Sequence, residues 1–108
     1  MRDKILSMIG MAKRALKVST GEFVCVRTVK SKNARLVIIA HDASENTKKS
    51  IKNSCAYYKI PYIEFSQKEE LGKYTGTDSR AVVSINDNNF AKAILDKFNQ
   101  SFREEKKG

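Results

Sequence analysis

Three short stretches carry residues whose types and spacing could do chemistry. The first is Lys17, Thr20-Gly21-Glu22 and Arg27. A glycine turn feeding a helix N-terminus presents unpaired amides and the positive end of the helix dipole, and both suit a phosphate. Basic side chains flank this turn, with Lys13, Arg14 and Lys17 before it and Arg27 and Lys30 after it. The chemistry is anion binding, and a bent or looped RNA backbone fits it. The plainer reading is a simple strand-to-helix turn. The second stretch is Thr75-Gly76-Thr77-Asp78-Ser79-Arg80. It lacks the Gly-Lys-Ser/Thr of a phosphate-binding loop and the glycine spacing of a dinucleotide fold. Its amides and hydroxyls could still hold an RNA phosphate. The third is His41-Asp42, at the end of an apolar run, where α/β proteins often keep their sites. A metal or catalytic dyad there needs partners, and His41 is the single histidine. A loop aspartate helping to cap the following helix is the simpler role.

Other chemistry finds no support. No G-x-S-x-G elbow is present, and no pair of carboxylates demands an acid and a base role. Cys25 and Cys55 stand far apart, in no metal-ligand spacing, and read as two buried reduced thiols. Tyr57-Tyr58 could stack bases, but helical periodicity turns one of the two inward. The expectation is a protein with no catalytic residues, no metal, no cofactor and no small-molecule substrate.

These stretches must be positioned by regular elements. Ile5, Met8, Ile9, Ala12, Ala15 and Leu16 recur at spacings of three and four, which predicts a helix over 2–16. Residues 17–20 read as extended. Residues 22–31 read as a helix with Phe23, Val26 and Val29 on one stripe, although Phe23-Val24-Cys25-Val26 also favours strand. Arg35–Ala40 is an apolar strand of the kind buried on both faces. Ser44 suits an N-cap for a helix to about Tyr58, with Ile51, Cys55 and Tyr58 inward, and Pro61 stops it. Tyr62–Phe65 is a short strand. Ser66-Gln67-Lys68-Glu69 reads as a capping box for a short helix that Gly72 helps to end. Arg80–Ile85 is a second apolar strand. Asp87 caps a last helix with Phe90, Ala91, Ile94, Leu95 and Phe98 inward, and residues 103–108 should fray. Helices alternating with apolar strands imply a three-layer α/β/α sandwich around a mixed sheet of about four strands.

The whole fits one domain over 1–108. At 12.2 kDa, folding can bury about two thirds of the unfolded surface, which supports one modest core. No apolar run approaches the ~18–20 residues of a membrane span. The start has no signal-peptide pattern, and the cysteine usage fits a reducing cytoplasm. The net charge is +9. Residues 1–60 hold 13 basic and 4 acidic side chains, whereas residues 61–108 hold 8 of each. A basic field concentrated on particular elements attracts polyanions, nucleic acid first. Lys48, Lys49 and Lys52 read as a solvated face.

The ordered segments resemble a known family. Leu36-Val37-Ile38-Ile39-Ala40-His41-Asp42-Ala43-Ser44, Tyr57-Tyr58-Lys59-Ile60-Pro61-Tyr62, and Lys68-Glu69-Glu70-Leu71-Gly72-Lys73 followed by Gly76 are similar to the ribosomal protein L7Ae/L30e family. Ala12-Lys13-Arg14-Ala15-Leu16-Lys17 with Gly21-Glu22, and Ala43-Ser44-Glu45-Asn46-Thr47, resemble its bacterial YlxQ-like branch more closely. The resemblance covers roughly residues 5–98. It implies an α/β/α sandwich that binds kinked RNA helices, kink-turns especially. In the family a G-x-N-E-x-x-K segment contacts the paired guanines at the kink. Its glycine falls on Gly21 and its lysine on Arg27, but its Asn-Glu pair falls on Phe23-Val24, which cannot make those polar contacts. A second family loop falls on Gly76-Thr77-Asp78-Ser79-Arg80, with Thr77 and Ser79 where apolar side chains are usual.

The resulting expectation is a non-enzymatic RNA-binding protein. Lys13, Arg14, Lys17, Arg27 and Lys30 would contact phosphates. Thr20, Gly21 and Glu22 would form the turn that the backbone approaches. Gly76, Thr77, Asp78, Ser79 and Arg80 would line the second edge. The partner would be structured RNA, ribosomal RNA foremost, with ribosome-associated proteins beside it and no membrane. The rival is a protein-interaction module on the same fold, which an exposed Phe23 would favour.

Overall fold

The computed structural model describes the backbone of residues 2–107 and the side chains of residues 2–101. Nine elements alternate along the chain. They are α1 (Arg2–Arg14), β1 (Val18–Thr20), α2 (Glu22–Lys30), β2 (Leu36–Ile39), α3 (Glu45–Tyr58), β3 (Tyr62–Glu64), α4 (Lys68–Tyr74), β4 (Val82–Ile85) and α5 (Asn88–Lys107). The strands lie in the order β1-β4-β2-β3, with β4 antiparallel to both β1 and β2, and β2 parallel to β3. The mixed four-strand sheet between two helical layers is the expected architecture.

Strand alternation builds both layers. Leu36, Ile38, Val83 and Ile85 face Ile5, Leu6 and Ile9 of α1, Leu71 of α4 and Ile94 of α5. Val37, Ile39 and Val82 face Cys25 and Val29 of α2 with Ile51 and Cys55 of α3. At roughly 1.5–3 kcal/mol per fully buried aliphatic side chain, these two apolar faces dominate the stabilisation. On the α2 face, Ser84 is fully buried and its hydroxyl donates to Asn86 Oδ1. Thr28 Oγ1 donates to Ser84 Oγ at 3.1 Å, and Asn86 Nδ2 donates to Ser19 Oγ at 2.9 Å.

Several local expectations change, the first being that the helix expected over 2–16 stops at Arg14, which leaves Leu16 at φ 62° and 86% exposed rather than inward. The inward stripe of α2 is Cys25 and Val29, one turn apart, with Val26 at its margin. Phe23 belongs to the turn before that pair, and it is 75% exposed. The capping box before α4 does not form. Ser66 has left-handed backbone at φ 65°, and its hydroxyl donates to Glu70 Oε1 instead of accepting from the helix. The first amide of α4, at Lys68, donates to Asp42 Oδ1 at 2.8 Å. Asp42 thus caps α4 from across the fold, while Ser44 caps α3 by accepting from the Thr47 amide. Gly72 does not end α4 but lies inside it. A Cβ there would sit 2.5 Å from the Ser79 amide nitrogen, so glycine is required for the 77–79 loop to pass. Elsewhere Asp87 caps α5 as expected, accepting from the Phe90 amide at 2.9 Å. The fraying expected over 103–108 falls on side chains, and at Gly108 on backbone, outside the described residues.

Candidate nucleic-acid interface

Strand pairing gathers parts of all three predicted stretches at one end of the sheet. Thr20 pairs with Val83 and Ile39 pairs with Val82. The Gly21 turn, the 40–44 loop and the 75–81 loop therefore share that end. The Gly21 amide donates to the Val82 carbonyl at 3.0 Å, which ties the turn to β4. Gly21 has φ 93°, with open space where a Cβ would stand. No side chain caps the first turn of α2, and its leading amides point out of the helix.

Arg80 joins the two stretches. Its Nε donates to Thr20 Oγ1 at 3.0 Å and its amide to the Lys68 carbonyl at 3.0 Å. Arg27, exposed on α2, places its guanidinium carbon 5.8 Å from the centre of the Phe23 ring. Among the described residues neither arginine is in an ion pair. Glu22 leans the other way, and its carboxylate accepts from Thr47 Oγ1 at 2.6 Å, tying the start of α2 to the start of α3. Gly76, at φ 85°, also has open space at its Cβ position, and Asp78 and Ser79 are exposed beside it. Thr77 is anchored through its amide to the Gly72 carbonyl at 2.9 Å.

Lys13, Arg14, Lys17 and Lys30 stand apart from this end. Lys17 precedes β1, and its carbonyl accepts from the Asn86 amide. Three strand residues lie between it and Gly21, which puts the two about 13 Å apart along the edge. Lys30 closes a nine-residue helix, roughly 13 Å from its start. Lys13 and Arg14 end α1 on one face of the sheet, and Lys30 ends α2 on the other.

The remaining candidates resolve simply. His41 is exposed, and no group of three or more metal-binding side chains occurs among the described residues. Tyr58 packs against the core while Tyr57 is 79% exposed. Burial pushes the Cys25 thiol up to about 12, with Cys55 adding to it, and pushes Cys55 up to about 11. Neither is a thiolate at neutral pH, so neither is a nucleophile. Sequence reasoning missed Glu64, whose carboxylate meets Lys48 Nζ at 3.3 Å and Lys52 Nζ at 2.6 Å. It also missed the Arg27–Phe23 contact, for which the i, i+4 spacing was the available signal. No helix among the described residues is long and apolar enough to cross a membrane.

The three-layer sandwich is the fold of a known class. The ribosomal protein L7Ae/L30e/S12e/Gadd45 family matches residues 3–95, and the chain belongs to it. The chain is 41% identical over 91 residues to the RNA-binding protein YlxQ of Enterococcus faecium, covering 84% of this chain and 87% of that one. It is 36% identical over 88 residues to the RNA-binding protein YlxQ of Bacillus subtilis, covering 82% and 88%. A solved structure of a protein of unknown function from Bacillus halodurans superposes with a TM-score of 0.83 at 34% identity, covering 85% of this chain and 93% of that one.

Proposed function

We propose that the protein binds structured RNA without catalysing a reaction, docking a phosphate backbone on the Gly21 turn and its flanking arginines. The observation that carries this reading is the Arg80–Thr20 hydrogen bond. It holds the 76–80 loop against the Gly21 turn, so the uncapped first turn of α2 and two arginines without an ion pair among the described residues would meet one ligand. The two YlxQ relatives, named as RNA-binding proteins, support it. Thr20, Gly21, Glu22 through its backbone amide, Arg27 and the 76–80 loop form the near contact. Lys13, Arg14, Lys17 and Lys30 take phosphates farther from the turn. Kinked ribosomal RNA is the proposed partner, met in the cytoplasm, with ribosome-associated proteins nearby. Phosphate contacts of this kind position RNA without reading bases, so selectivity comes from RNA shape.

The exposed Phe23 favours the second reading, a protein-interaction module that lost RNA recognition. Sequencing of RNA crosslinked to the protein in cells separates the two. Recurrent peaks at bent ribosomal helices are expected. A random or empty profile overturns the RNA reading in favour of the interaction module.

A further inference from the structure

Phe23 has no structural task. It lies outside both cores and is 75% exposed on the first turn of α2, beside the open Gly21 turn. One face of its ring is met by the Arg27 guanidinium at 5.8 Å, a cation–π geometry that restrains both side chains. Such a pair presents a flat apolar ring beside a fixed positive charge. That is the chemistry of a nucleobase joined to its phosphate: the base stacks on the ring, and the guanidinium forks onto the adjoining oxygens. A protein partner would need an apolar surface of some extent. Around the ring, however, stand the Arg27 guanidinium and the uncapped helix start, with Val24 as the one further exposed apolar side chain of α2.

We propose that Phe23 is a base-stacking residue that, with Arg27, captures an unpaired nucleotide at the RNA docking site. The inference rests on the RNA reading above. It makes the preferred ligand an RNA with a bulged or splayed nucleotide next to a bent backbone. Stacking tolerates any base, because every base has a π-face, so the identity of the captured nucleotide matters little.

The test uses the full chain, a bulged RNA carrying 2-aminopurine at the unpaired position, and the same RNA with the bulge deleted. Wild type should quench or shift the 2-aminopurine emission and prefer the bulged RNA. Phe23→Ala should weaken binding roughly ten- to hundredfold and abolish the emission change. It should leave the salt slope and the melting temperature unchanged, since no charge and no core contact is lost. Phe23→Tyr should retain most of the affinity, and Phe23→Leu should behave like Phe23→Ala. Equal binding by wild type and Phe23→Ala, or full affinity in Phe23→Leu, overturns the stacking role. If Arg27→Ala still weakens binding in that case, the RNA reading stands without it. Absence of any RNA affinity in wild type overturns both and leaves Phe23 as a contact for a protein partner.

Discussion

Arg27 and Arg80 lie toward one edge of the sheet, Lys48 and Lys52 toward the other, with about 14 Å of strands between the edges. The formal charge of the two pairs is the same. Their electrostatic circumstances are not. Glu64 accepts from both lysines, and its hydrogen bond with Lys52 is the main reason its carboxyl is held below the usual 4.5 and the Lys52 ammonium above the usual 10.5. The arginines are held by a hydroxyl and an aromatic ring, groups that fix position without cancelling charge. Counting cations therefore overstates the polyanion-binding capacity of α3 and misses what sets the α2 end apart.

The largest expected effect tests whether the open edge binds by charge at all. With about five phosphates neutralised, log K against log salt should slope near −3.5 to −4.5. Affinity should then drop by about two orders of magnitude or more between 50 and 200 mM salt in an anisotropy titration. A flat response breaks the electrostatic account of that edge.

Next comes the direct contrast. Arg27→Ala should cost on the order of 1.5–3 kcal/mol of RNA binding, the loss of a charged hydrogen bond, with little change in thermal stability. Lys52→Ala should cost less than about twofold, because its charge is already met by Glu64 and screened by salt. Equal losses would make the protein a diffuse polycation, and a larger loss at Lys52 would move the site to the other edge.

Loop placement can be broken independently. Gly72→Ala drives a Cβ into the Ser79 backbone and should destabilise folding by about 1–3 kcal/mol, read by chemical denaturation, while weakening RNA binding at temperatures where it stays folded. Gly10→Ala places its Cβ at ordinary contact distance, 3.6 Å from the Tyr74 carbonyl, and should be neutral or stabilising in the middle of α1. Destabilisation by both would remove the special role of the close approach.

A smaller effect concerns base reading. Replacing the G·A pairs of a kink-turn should change affinity less than about tenfold, since Phe23 and Val24 offer no polar side-chain groups to them and each well-made bidentate contact is worth about 1–3 kcal/mol. A hundredfold preference would show that other residues read those pairs.

The smallest effect sits at the paired edge. Glu64→Gln should raise RNA affinity no more than about twofold and lower the melting temperature at pH 7 by only about a degree or two. Glu64 has a depressed carboxyl pKa, so its contribution is present above the ordinary carboxylate range and is lost as pH falls through the lowered value. The wild-type and Glu64→Gln melting temperatures should therefore converge as pH falls below the ordinary carboxylate range. A large rise in affinity would show that Lys48 and Lys52 face RNA once released.

What was legible in the chain follows a physical rule. Periodicity marked α1, α3 and α5, and apolar runs marked β2 and β4, because each is a local pattern imposed by one buried face. The Gly21 turn was legible because its residue types admit few backbone solutions. Relations across the fold were not legible. Asp42 caps a helix 26 residues away, Arg80 reaches Thr20 across 60, and Glu64 gathers two lysines from α3. No local signal precedes any of these. Phe23 was misplaced for a related reason. Its spacing to Val26 and Val29 satisfied a helical stripe, but Cys25 and Val29 satisfied another, and packing on the sheet chose the second.

The polar rung of Thr28, Ser84, Asn86 and Ser19 works as an indexing peg for the edge strand. β1 is three residues long, so its hydrogen bonds alone hold its alignment weakly. Sliding it by one residue would exchange its faces, set Val18 or Thr20 against the buried Ser84, and leave the Asn86 amide without Ser19 Oγ. The same slip would carry Gly21 about 3.3 Å off the Val82 carbonyl and part Thr20 from Arg80. A hydroxyl buried under α2 thus sets where, along the sheet, the glycine turn comes to rest.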